Sequence, residues 1–130
     1  MSERRLTATL GREGYTTVMS TRTHTLVADE PLEIGGGDVS ANPYEYLMAS
    51  LASCTAITMR MYAERKGWPM EGVDVTIEMS AERLPTITRT LEVRGPLDDA
   101  QRARLVEIAD ACPISRLLKA GVAITTAPGA

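Results

Sequence analysis

Short runs that alternate apolar and polar residues fill the first third of the chain. Leu6 to Leu10, Tyr15 to Ser20 and Thr23 to Ala28 are rich in Thr, Val, Leu and Tyr, and Gly11-Arg12-Glu13-Gly14 and Thr21-Arg22 punctuate them. Such residues suit a pleated, half-buried surface, so these runs predict an antiparallel β-meander over 6–28. Asp29-Glu30-Pro31 and Gly35-Gly36-Gly37-Asp38 break the pattern and predict a loop over 29–41. The period then changes. Asn42 is a good helix cap, Pro43 suits a first helical position, and Arg65-Lys66-Gly67 closes a helix predicted over 42–66. Its middle is apolar nearly all round, through Leu47, Met48, Leu51, Cys54, Ile57, Met61 and Tyr62. A helix without a polar face is normally buried on several sides. One chain of this length has little else to cover it, so the pattern predicts a dimer that shares this core.

Alternation returns at Val73, Val75, Ile77 and Met79, and again at Ile87, Leu91 and Val93. Together these predict a β-hairpin over 73–94 that turns near Arg83-Leu84-Pro85. Asp98 with Gln101 three residues later is a capping box, opening a helix over 98–111 whose inner stripe is Leu105, Ile108, Ala109 and Cys112. Pro113 stops that helix and can start another over 113–119, closed by Gly121. Val122 to Thr125 predicts a last short strand. The whole reads as a single α+β domain over 1–130.

Composition narrows the function. Net charge is −3 and no basic cluster is longer than Arg4-Arg5, so the concentrated positive face that attracts nucleic acid is missing. The longest uncharged apolar stretch, Tyr46 to Met59, is shorter than the roughly 18 residues a membrane span needs. The first residues lack the apolar run of a secretory signal, and a cytoplasmic protein is expected. Two cysteines are too few for a disulfide-built scaffold and wrongly spaced for a zinc knuckle. His24 is the only histidine, which gives no His-based metal site or triad. The Gly35–Asp38 run lacks the Gly-Lys-Ser/Thr end of a phosphate loop, so it reads as a flexible connection. No cofactor or metal is expected.

The two thiols differ in setting. Cys54 lies mid-helix, where the helix dipole is weak; it is either a small buried hydrophobe or, given a cation from elsewhere, a reactive thiolate. Cys112, with Pro113 behind it, is placed like the N-cap of the short helix, where free backbone N–H groups stabilise an anion. Local electrostatics therefore make Cys112 the more acidic of the pair.

Three blocks in order carry a family resemblance. Thr7-Ala8-Thr9-Leu10-Gly11-Arg12-Glu13-Gly14, Asn42-Pro43-Tyr44-Glu45-Tyr46-Leu47 running to Ala52-Ser53-Cys54, and Cys112-Pro113-Ile114-Ser115 resemble the OsmC/Ohr family of organic hydroperoxide reductases. The resemblance spans residues 7 to 125. It implies an OsmC-like fold: an intertwined homodimer with long central helices packed between curved antiparallel sheets and active sites at the subunit interface. It implies a thiol peroxidase in which Cys54 attacks an organic hydroperoxide and becomes a sulfenic acid. Cys112 then forms the Cys54–Cys112 disulfide, and a dithiol, typically a lipoyl group in the family, restores the pair. Arg12 falls at the family's arginine position, with Arg22 as the alternative; it would hold Cys54 as a thiolate. Tyr44 stands where the family has its catalytic glutamate, and Glu45 follows one residue later, about 100° round a helix. Glu45 would either reach Arg12 or serve the helix N-terminus. Thr55, where the family commonly has a bulkier aromatic, and the absence of Phe imply an altered substrate pocket. The alternative to a peroxidase is a redox-sensing or hydrophobic-ligand-binding dimer of the same fold.

Overall fold

A computed structural model describes residues 4–129. The chain divides into two compact units, Met1–Leu47 and Met48–Ala130. In the first, β1 (Thr7–Leu10), β2 (Thr17–Thr21) and β3 (His24–Ala28) form an antiparallel meander in the order β1-β2-β3. Thr7 faces Ser20, Thr17 faces Ala28, and Thr21 faces His24 across a two-residue turn. Arg22 in that turn has φ 47°, the left-handed conformation that tight hairpins demand.

The 29–41 connection has an internal anchor that its glycines do not suggest. Asp29 is buried, and its carboxylate accepts hydrogen bonds from the backbone N–H groups of Glu30 (2.7 Å), Val39 (3.2 Å) and Gly37 (3.4 Å) and from Thr16 Oγ1 (3.0 Å). The Glu30 N–H, chiefly, holds this carboxyl below its usual pKa; burial opposes the effect, and the Val39, Thr16 and Gly37 donors add to it. Leu32–Ile34 forms one turn of 3₁₀ helix inside the loop. Gly36 lies so close to the Glu30 carbonyl that an added Cβ would stand 2.0 Å from its oxygen. Gly36→Ala is therefore expected to displace the loop and destabilise the protein by about 1–3 kcal/mol, read as a lower denaturant midpoint. An unchanged midpoint would contradict that packing.

The second unit holds most of α1 (Pro43–Lys66), the antiparallel hairpin β4 (Gly72–Met79) and β5 (Ile87–Arg94), and the helices α2 (Asp99–Asp110) and α3 (Pro113–Ala120). The hairpin runs in unbroken register from Gly72 opposite Arg94 to Met79 opposite Ile87. Asp98 and Gln101 form the expected capping box at the start of α2. Leu51, Thr55, Met59 and Ala63 recur every fourth residue and make the buried stripe of α1. Met59 and Ala63 meet Met70, Leu97, Leu105 and Ala109 in one core, with Tyr62, Trp68, Val73, Leu91 and Val93 packed around it. Ile57 and Met61, on other faces of α1, stay exposed in the single chain.

One predicted element is not formed. Val122 to Thr125, expected as a strand, makes no ladder among the described residues. A short apolar run becomes a strand only where another strand offers its free N–H and C=O groups, and no strand pairs with it among the described residues.

Candidate functional site

The site forms where the middle of α1 meets the start of α3 and the inner face of β5. Cys54 and Thr55 are neighbours on α1. Thr55 points inward with the buried stripe, while Cys54 lies beside it, half-buried. Cys112 is fully buried and caps α3, as its position before Pro113 predicts. Its sulfur accepts the Ser115 backbone N–H at 3.4 Å. Ser115 Oγ lies 3.2 Å and Thr55 Oγ1 3.7 Å from the same sulfur. Cys54, one residue from Thr55, is near enough to help lower the Cys112 thiol, and its own Sγ lies 3.9 Å from Thr58 Oγ1. Both cysteines are free thiols. Two sulfurs remote along the sequence are thus brought side by side.

The cation at this cluster is Arg89, which the sequence reading missed. Arg89 Nη1 donates to Thr55 Oγ1 at 2.9 Å and to Ser115 Oγ at 2.7 Å, and it lies 4.0 Å from the Cys112 sulfur. Nη2 pairs with Asp110 Oδ1 at 3.2 Å, and Lys119 meets the same oxygen at 2.8 Å. Burial alone would raise the Cys112 thiol. Hydrogen bonds from the Ser115 hydroxyl and backbone N–H, from Thr55 and from Cys54 outweigh it and lower the thiol from 9.0 to about 7. A signal for Arg89 existed in the strand. Ile87, Arg89, Leu91 and Val93 share one face of β5, so a charge stands in an inward apolar row, where it requires partners.

The remaining predicted residues belong to the first unit. Arg12 is exposed in the turn between β1 and β2 and makes no ion pair among the described residues. Arg22 is exposed in the β2–β3 turn. Glu45 closes the N-terminus of α1: Asn42 Oδ1 accepts the Glu45 N–H and Glu45 Oε1 accepts the Asn42 N–H, both at 2.9 Å. This is a reciprocal capping box. Thr55, expected to reshape a substrate pocket, is instead wholly buried and bonded to Arg89 and to Leu51 O at 2.7 Å. Its short hydroxyl fits between guanidinium and thiol where a ring would not.

A cavity of about 710 Å³ adjoins the cluster, lined by apolar side chains such as Leu51, Ile87 and Leu91 and also by the charged Arg89, Glu107, Asp110 and Lys119. Among the described residues, no group of three or more His, Cys, Asp or Glu side chains is placed to hold a metal. No described helix is long and apolar enough to cross a membrane.

Residues 35–127, which include both cysteines, match the family model described as OsmC-like protein. The chain belongs to the OsmC-like family. Solved structures agree on the α+β fold. An OsmC-like protein from Mycoplasma pneumoniae is 18% identical over 91% of this chain and 88% of its own, with a TM-score of 0.75. An organic hydroperoxide resistance protein from Vibrio cholerae, solved with captopril in one active site, is 24% identical over 92% and 85%, with a TM-score of 0.65. The organic hydroperoxide resistance protein OhrB of Bacillus subtilis is 19% identical over 91% of each chain, with a TM-score of 0.63. Comparison with curated protein sequences returns no match. At these identities the structural likeness speaks for the fold, and the chemistry of this OsmC-like chain has to be argued from its own thiols.

Proposed function

We propose that this OsmC-like protein is a cysteine-based thiol peroxidase that reduces organic hydroperoxides to alcohols. The observation that carries the reading is the placement of Cys54 next to Thr55, whose hydroxyl lies 3.7 Å from the Cys112 sulfur and 2.9 Å from the Arg89 guanidinium. Cys54, half-buried, is the thiol that a bulky peroxide can reach; Cys112, fully buried, is not. The Cys54 sulfur attacks the terminal peroxide oxygen, the O–O bond breaks, and the alcohol leaves, giving Cys54 sulfenic acid. Cys112 attacks that sulfur, the S–O bond breaks, water is released, and a Cys54–Cys112 disulfide forms. A dithiol, with a lipoyl group as the family's expectation, exchanges with the disulfide and leaves as its own cyclic disulfide. Structural relatives that bear the name organic hydroperoxide resistance protein support the substrate class.

Arg12 keeps the role the resemblance gives it, a cation for Cys54 in the assembled enzyme. Glu45 acts first as the α1 cap, with any part in catalysis passing through the helix start. A homodimer would cover Ile57 and Met61, whose exposure on a long central helix is otherwise unexplained. A cytoplasmic setting suits a protein that needs its thiols reduced. The cavity beside β5, with Leu51, Ile87, Leu91 and Leu118 in its walls, favours one second reading, a hydrophobic-ligand-binding or redox-sensing dimer without useful turnover.

Mass spectrometry after one equivalent of cumene hydroperoxide separates the two. The peroxidase reading expects a mass loss of two hydrogens and a peptide joining Cys54 to Cys112 within one chain. The rate of bridge formation should rise about tenfold from pH 6 to pH 8, as Cys112 ionises through about 7. Unmodified protein, or an oxidised mass without the bridge, would defeat it.

A further inference from the structure

Arg89 reaches the thiol cluster from β5 with only 14% of its side chain exposed. A guanidinium so placed needs partners, and it has them. The two protons on Nη1 go chiefly to Thr55 Oγ1 and Ser115 Oγ, and the Cys112 sulfur receives only a long third contact at 4.0 Å. A hydroxyl that accepts from a cation turns its own proton away from it. In the thiol form Cys112 Sγ donates to Ser115 Oγ at 3.2 Å; once Cys112 ionises, the single Ser115 proton, turned away from the guanidinium, can be given to that sulfur. Thr55 gives its proton to Leu51 O at 2.7 Å, and its oxygen lies 3.7 Å from the same sulfur, where either atom can donate. Against the cost of burial, the polar groups around Cys112 can thus all turn toward its anion once it forms. Arg89 comes from β5, and the Ser115 hydroxyl and N–H come from α3. Thr55 and Cys54 come from α1. Asp110 at the end of α2 faces Arg89 and Lys119 rather than the sulfur.

We propose that Arg89 is a positioning residue that locks Ser115 and Thr55 so that Cys112 stands as a thiolate and serves as the base for Cys54. This rests on the peroxidase reading and extends it. The Cys54 proton passes to the Cys112 sulfur as Cys54 attacks the peroxide. Cys112 then returns that proton to the departing alkoxide, which leaves as the alcohol. Cys112 is again a thiolate, ready to attack the sulfenic acid. Hydroxide leaves and takes up a solvent proton. One thiolate thus acts twice, first as proton carrier and then as nucleophile.

The test titrates Cys112 without any peroxide, by thiolate absorbance near 240 nm in a Cys54→Ser background. A midpoint near 7 is expected. Adding Arg89→Gln should raise it by about one unit or more, with partial recovery in Arg89→Lys. Ser115→Ala, which keeps the cation and removes the relay, should raise it as well and serves if Arg89→Gln does not fold by circular dichroism. Midpoints that stay in place in the folded variants overturn the proposal. In the two-cysteine enzyme, Arg89→Gln should slow single-turnover peroxide reduction at pH 7 about tenfold and recover near pH 9. A pH-independent loss of rate would also overturn it. Moved midpoints in a protein that never consumes hydroperoxide would instead defeat the peroxidase reading and leave the placement of Arg89 standing.

Discussion

Cys54→Ser is expected to abolish turnover of cumene or tert-butyl hydroperoxide with a dithiol, by about 10³-fold or more, while the protein remains folded. Serine is nearly isosteric, and Cys54 bonds weakly to Thr58 at 3.9 Å, so the helix has little reason to change. An alcohol, however, cannot be oxidised by a peroxide to a sulfenic acid. Cys112 cannot substitute, because it is fully buried behind α1 and α3. The companion variant Cys112→Ser should behave differently. It should react once per chain, leave a sulfenic acid at Cys54 that dimedone traps, and then stop. Substantial turnover in Cys54→Ser would remove the nucleophile assignment.

The largest effect on stability is expected at Leu105. Its side chain is fully buried where α2 joins the core of Met59, Ala63, Met70 and Leu97, against which Tyr62 and Trp68 pack. Leu105→Ala removes three carbons from a site whose walls belong to separate elements and cannot all move inward. The expected loss is about 2–5 kcal/mol, seen as a lower midpoint in chemical unfolding with little change in slope. By contrast, Val106→Ala, at a position 53% exposed, should lose under about 1 kcal/mol. Equal losses at the two positions would contradict the core described for this unit.

What was legible in the sequence was local. Asn42-Pro43 and Lys66-Gly67 mark the ends of α1 because caps are chemistry between near neighbours, and Asp98 with Gln101 marks the start of α2 for the same reason. The N-cap position of Cys112 was legible from Pro113 alone. Arg89 escaped because its partners lie on three other elements, and only the fold brings Thr55, Asp110 and Ser115 to it. Reading β5 for its apolar members passed over the one inward charge. Asp29 escaped in the same way, since a loop with three consecutive glycines gave no hint of a buried carboxylate gathering the Glu30, Gly37 and Val39 amides. Val122 to Thr125 failed for the converse reason: its composition suits a strand, but pairing depends on a neighbour the composition does not specify.

Cys112 is at once a thiol and the cap of α3, and the two roles are thermodynamically linked. In the reduced state the sulfur accepts the Ser115 amide, more strongly as it ionises through about 7; in a disulfide it carries no charge and loses most of its accepting power. Whatever order the anion confers on the first turn of α3, the helix returns as preference for the reduced cysteine, since coupling of this kind is reciprocal. Stabilising the dithiol form makes the bridged form a stronger oxidant. A bridge here would be held loosely, ready to hand its oxidation on to the next dithiol it meets.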